Sequence, residues 1–194
     1  MKKLGKKFLT CLFAMFIAMF VSDQAWAANL SFDPSDSVIG IGGMTDVDIV
    51  VSGLENDDLG TFDFNVNYDN SVLDFNDYTL GTGLGDISDY DALNWGDGNL
   101  GGTIHLRELS LLDDLSFQSD SFALATLSFT GIGMGNSPLS FPEDPILGDF
   151  SGDSLSANPE SGNISVIPIP GSLWLLGSGL AALAGIRRKF KKRC

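Results

Sequence analysis

The chain has 194 residues with 25 acidic and 11 basic side chains, one histidine and a formal net charge of −14 at pH 7. Of the acids only Asp23 precedes position 28 and none follows Glu160, so 24 fall within 28–166, where Arg107 is the sole lysine or arginine. A surface this negative excludes nucleic acid and anionic lipid as partners of that middle segment, and suits divalent cations, basic proteins or simple colloidal solubility.

Lys2, Lys3, Lys6 and Lys7 precede a nearly unbroken apolar run from Phe8 to Val21, followed by the small-x-small pattern Ala25, Trp26, Ala27. This is the layout of a signal peptide over 1–27, with the mature chain beginning at Ala28. The apolar run is short for a stable membrane span. Cys11, inside it, follows Thr10 rather than the small residue expected before a lipidated cysteine.

The remaining chain reads as short strands. Val47, Ile49 and Val51 alternate with Asp46, Asp48 and Val50, and Phe62, Phe64, Val66 and Tyr68 alternate with Asp63, Asn65 and Asn67. A period of two buries one face of a strand and wets the other. Ile104, Leu106 and Glu108 flank His105 and Arg107 in a less decisive form of the same pattern. Leu109 to Leu115 fits a helical turn or a continuing strand equally well. Ala125, Leu127 and Phe129, then Leu139 with Phe141, then Ile164 with Val166, add further strands. The stretches Ser52 to Gly60, Gly81 to Gly102, Gly131 to Pro138 and Pro142 to Gly162 are rich in turn formers and read as connectors. Many short strands without a long amphipathic helix predict an all-β sandwich of roughly 140 residues, one domain over 28–166.

Three stretches carry a resemblance: Gly43 to Leu54, Phe62 to Asp69 with Val72, Leu73 and Phe75, and Phe122 to Phe129 with the closing Gly162 to Val166. Their order resembles cohesin modules. That resemblance implies a flattened jelly-roll β-sandwich and a protein-binding role, since cohesins typically bind calcium-loaded dockerins and some relatives belong to carbohydrate-binding systems. Because the matching motifs are mostly hydrophobic spacing, they speak to fold more than to ligand.

Catalytic constellations are poor. His105 is the only histidine, so any nucleophile–histidine–acid triad depends on it, and alternation puts it with Arg107 on the wet face. No G-x-S-x-G elbow occurs in 28–166. Acid pairs such as Asp89 and Asp91 are unavoidable among 24 acids, so a glycoside hydrolase is the weakest reading. The expectation is a protein that is not an enzyme.

Calcium is a better candidate cofactor. Asp149, Ser151, Asp153 and Glu160 stand at positions 1, 3, 5 and 12 of an EF-hand-like loop. Ser154 occupies the position where the sharp turn favours glycine, Pro159 precedes the glutamate, and Gly162 to Val166 reads as a strand; an Asp-rich turn explains the same residues. A second acidic group, Asp86, Asp89, Asp91 and Asp97, surrounds Asn94, Trp95 and Gly96. Trp95 in this Gly/Asp loop either stacks on a sugar face with Asn94 and Asp91 bonding hydroxyls, or caps an open end of the core.

The chain ends with Ile167, Pro168, Ile169, Pro170 and Gly171, a glycine-dotted apolar run from Leu173 to Ile186 with Trp174 near its edge, and the basic cluster Arg187, Arg188, Lys189, Lys191, Lys192, Arg193. The prolines start a helix rather than sit in one. The run reaches membrane-spanning length, and the cations hold its end in the cytoplasm. This segment, 167–194, resembles a PEP-CTERM sorting signal, nearest to the variant reading V-P-L-P-A, with Ile167, Ile169 and Gly171 as departures. The resemblance implies processing near the prolines by an exosortase, and a mature protein at the cell envelope surface or in the extracellular matrix of a Gram-negative bacterium. Cys11 and Cys194 both lie in these flanks, which leaves the middle without a disulfide and dependent on its core.

The sequence therefore points to an exported, non-catalytic binding module for a surface protein or polysaccharide. A structural matrix component without a discrete ligand is the alternative.

Overall fold

A computed structural model describes residues 27–54 and 57–168. Most of the signal segment, including Ala25, and the tail from Ile169 onward, including Pro170, Gly171, the apolar run and the basic cluster, lie outside them. Thirteen strands follow in order: β1 Ala27–Asp33, β2 Asp36–Gly40, β3 Met44–Ser52, β4 Thr61–Asn67, β5 Leu73–Leu80, β6 Ala92–Asn94, β7 Gly98–Asn99, β8 Thr103–Ser110, β9 Ser121–Gly131, β10 Gly135–Leu139, β11 Ile146–Gly148, β12 Ser154–Pro159 and β13 Gly162–Ile167. Ala27 and Ala28, at the expected signal cleavage point, open β1, where Ala28 is already buried.

The alternation sets which face each strand buries. Leu30 and Phe32 of β1, Val47, Ile49 and Val51 of β3, Phe62, Phe64 and Val66 of β4, Ile104 and Leu106 of β8, and Leu127 and Phe129 of β9 all point inward. Each large side chain withdrawn from water contributes about 1.5–3 kcal/mol. Hydrogen bonding runs β5-β9-β3-β1-β12-β11-β4-β8-β6, with β7 also on β8 and a separate β10-β13-β2 sheet. β12 pairs in parallel with β1 and antiparallel with β11, so it joins the two layers of the sandwich. Aromatic contacts tie the layers together. Phe141 stacks on Phe32 of β1 with centroids 5.0 Å apart and meets Phe64 of β4 edge-on at 5.4 Å. Tyr68, just after β4, lies 5.4 Å from Phe129 of β9.

The architecture is the expected all-β, jelly-roll-like sandwich, and the connectors are where the reading changes. Gly81 to Gly102 contains a 3-10 turn at Ile87–Asp89 together with β6 and β7. Pro142 to Gly162 contains β11 and β12, the strand that bridges the layers, and Gly131 to Pro138 contains most of β10. The ambiguous 109–115 segment resolves as the end of β8 at Ser110 followed by an irregular loop. No described helix is long and apolar enough to cross a membrane, and the expected membrane helix belongs to the undescribed tail.

One inward position carries a carboxylate. Glu108 of β8 is fully buried, neither carboxyl oxygen has a hydrogen-bond partner, and burial pushes its pKa up to about 8.

Candidate functional site

The two cationic candidates of the domain, His105 and Arg107, sit two residues apart on β8 and share its outer face. Antiparallel pairing with β4 sets Asp63 opposite Arg107, Asn65 opposite His105 and Asn67 opposite Thr103. Cross-strand neighbours on one face are the contacts a sheet uses. Here the Thr103 hydroxyl donates to Asn67 Oδ1 at 2.7 Å. Asp63 holds both cationic candidates: its Oδ1 lies 2.9 Å from His105 Nε2 and its Oδ2 3.4 Å from Arg107 Nε. The other ring nitrogen, Nδ1, lies 3.2 Å from Asp97 Oδ2 in the loop between β6 and β7. The Asp97 backbone N–H also donates to Nδ1 at 3.4 Å, so Asp97 and Asp63 hold the imidazole from its two sides.

Trp95 completes the patch. Its backbone N–H donates to Arg107 O at 3.0 Å, which extends the β6–β8 ladder by one residue. The indole then lies beneath the guanidinium, with Arg107 Cζ 5.5 Å from the ring centroid. A cation–π contact at an exposed site contributes about 0.5–1 kcal/mol, enough to orient a ring but not to bury it. Trp95 remains 51 % exposed. It does not cap the core; Arg107, fixed by Asp63, draws it onto the outer face.

The residues expected to work with Trp95 do not converge on it. The Asn94 amide donates to Tyr78 Oη at 2.8 Å and its Oδ1 accepts from Gly96 N at 2.9 Å, so it braces the sandwich edge and the turn. Asp91 precedes β6, about 13 Å along an extended chain from Trp95, and its backbone is bonded to Asp86 and Leu111. Asp89 lies in the 3-10 turn, which Asp86 caps by accepting from Ser88 N. Hydrogen bonds from the Ser88 hydroxyl and backbone hold Asp86 below the usual carboxylate range.

The calcium loop is likewise not assembled. Asp149, Ser151 and Asp153 form the tip of the β11–β12 hairpin, where Asp149 Oδ1 accepts from Asp153 N at 2.7 Å and Asp149 N donates to Asp153 O at 2.9 Å. Glu160 lies beyond β12, and a six-residue strand spans about 20 Å. The acids shape a turn. Among the described residues no three of His, Cys, Asp or Glu gather to hold a metal. Of the sorting motif, Ile167 ends β13 and Pro168 follows it, both exposed.

Sequence reasoning paired His105 with Arg107 but missed Asp63 and Asp97 as their partners. The signal was available in part. Asp63 stands on the wet face of the clearest strand, and the only Arg and His of an acid-rich domain must attract a carboxylate. Asp97 arrives through a loop whose path no local pattern encodes.

No family model matches the chain, and neither does any curated protein. Solved structures do. The sixth cohesin of scaffoldin B from Acetivibrio cellulolyticus, in complex with the Cel5 dockerin, superposes with a TM-score of 0.63 at 18 % identity over 73 % of this chain and 99 % of that one. The cohesin module of a family 33 glycoside hydrolase from Clostridium perfringens gives 0.60 at 12 % identity, over 74 % and 99 %. A non-cellulosomal cohesin from the archaeon Archaeoglobus fulgidus gives 0.56 at 15 % identity, over 75 % and 94 %. At these identities the likeness is one of fold, and it spans nearly the whole of each neighbour: the described part of this chain is a complete cohesin-like sandwich.

Proposed function

We propose that the chain is an exported, non-catalytic cohesin-like binding module, sorted through its C-terminal signal, trimmed by an exosortase and presented at the cell envelope surface or in the extracellular matrix. The ligand is a surface protein or polysaccharide, held on the outer face of β4 and β8. The observation that carries the binding face is Trp95. An aromatic ring held from one side by Arg107 and open over half its surface is a pre-oriented platform, and Asp63, His105 and Asp97 supply donors and acceptors on the same outer face as Arg107. Exposed aromatics beside arginine are the residues that most often dominate an interface. The fold likeness supports the module's class, because the cohesin of Acetivibrio cellulolyticus was solved with a dockerin bound.

The test is recovery of the protein from the native envelope, sequencing of both ends, and titration against the polysaccharide and proteins that co-purify. Saturable binding should weaken roughly ten-fold in Trp95→Ala. Binding that Trp95→Ala leaves untouched would reject this face and favour a scaffolding role. An intact, cytosolic chain with neither end trimmed would reject the export reading.

A further inference from the structure

A concave surface whose lining does not include Trp95 lies between the glycines after β5 and the long β8–β9 loop. This groove encloses about 640 Å³ and is lined by Gly81, Gly83, Leu112, Leu115, Phe117 and Phe122 among others. Its shape is preformed. A Cβ on Gly81 would lie 1.9 Å from Ala123 O, and one on Gly83 would lie 2.1 Å from the Phe122 ring, so only glycine lets this segment pack so closely. Gln118 then fixes the loop: its Oε1 accepts from Leu59 N at 2.6 Å, and its Nε2 donates to Leu59 O at 3.0 Å and Gly83 O at 2.9 Å.

Phe117 is the anomaly. It is 93 % exposed at the edge of this apolar groove, beside Leu115, which is buried. Asp114 also lines the groove, with Asp113 and Asp120 nearby in the same loop. A volume of this size takes one or a few side chains.

From the apolar lining, the projecting aromatic and the acidic rim, we propose that the groove docks a basic protein segment, one that inserts an apolar or aromatic side chain flanked by lysine or arginine. Charge decides between occupants. A second copy of a domain with 24 acids against Arg107 is repelled, whereas a cationic segment is drawn in. This site shares no residue with the Trp95 face, so each stands or falls alone.

The experiment uses the ¹⁵N-labelled chain carrying Phe190→Ala, which removes the Lys189-Phe190-Lys191 run of its own tail, in a neutral detergent with the doubly capped tripeptide Lys-Phe-Lys. Its addition should shift the amide signals of Gly81, Gly83, Ser119 and Ala123, with affinity falling as salt is raised. Phe117→Ala removes a side chain with almost no buried surface, so folding is retained, and it should weaken the peptide roughly five- to ten-fold. Asp114→Asn, which keeps an acceptor for Ser116 N, should weaken it less. Unmoved groove amides would overturn the proposal. So would equal shifts with capped Glu-Phe-Glu or Lys-Ala-Lys, or the same shifts produced by concentrating the protein without peptide.

Discussion

Glu108 stands where the alternation of β8 demands an apolar side chain, in register with Ile104 and Leu106 and paired across the ladder with Phe62. Its parity is visible in the sequence, but its isolation is not, because that depends on which groups the opposite layer brings near it. With no partner for either oxygen, the ionised form bears the whole desolvation cost, and the pKa rises from an ordinary 4.5 to about 8. Between those two values the native state binds a proton that the unfolded chain has lost, so Glu108's contribution to stability is least harmful below pH 4.5. It worsens as pH rises toward 8 and is level above. Over that window the loss is on the order of 5 kcal/mol. Glu108→Gln should therefore flatten the dependence of the urea midpoint on pH between about 5 and 8, and Glu108→Met should also raise the midpoint at neutral pH by removing an unpartnered polar group. A variant that kept the parent's slope would mean the carboxylate is solvated in solution.

Legibility in the sequence tracks how strands obtain their stability. β8 shows its alternation less decisively because Glu108 takes an inward position, but in β3, β4 and β9 the period of two is plain. In β6, β11 and β12 it is not. Ala92, Leu93 and Asn94 hold β6 only because β8 offers a ladder, and Ser154 to Pro159 alternates weakly because β12 is stabilised by neighbours on both sides, β1 and β11. A strand maintained by pairing rather than by its own amphipathicity carries no local pattern. The same reason hides the site: Trp95 is positioned by the short β6 ladder and by Arg107, and Asp97 by the turn after it. Loops pinned by side chains behave similarly. Gln118 serves Leu59 as a neighbouring strand would, engaging both its N–H and its carbonyl, and Leu59 is fully buried. Gln118→Ala leaves these backbone groups unpaired and should lower stability by about 2–3 kcal/mol, seen as a lower urea midpoint with an unchanged slope. Gln118→Glu keeps the acceptor but sets a carboxylate oxygen against the Leu59 and Gly83 carbonyls, so its midpoint should be no higher than that of the alanine variant. A midpoint equal to the parent's would show that water replaces the amide.

At the scale of the whole molecule, charges of one sign dominate the segment 28–166. The segment 28–166 carries 24 carboxylates against Arg107, and that one cation is already engaged by Asp63. Most of the described acids are exposed to solvent, where the Debye length at physiological ionic strength is about 8 Å. Bringing that charge together on folding costs free energy that added salt reduces, because screening acts more strongly on the compact state than on the expanded one. The melting temperature should therefore climb as sodium chloride is raised from low concentration and level off once the Debye length falls below the spacing of neighbouring acids. Calcium supplies a sharper version of the same measurement. With Asp149, Ser151 and Asp153 shaping a hairpin tip and Glu160 at the far end of β12, the described residues offer calcium a diffuse attraction rather than a gathered ligand set. Calcium and magnesium at matched ionic strength should then raise the melting temperature equally, and a chelator should reverse the gain without going below the salt-only value. A saturable rise specific to calcium, of the size mass action gives a ligand that binds only the native state, would mean that the acidic loops close around the ion in solution.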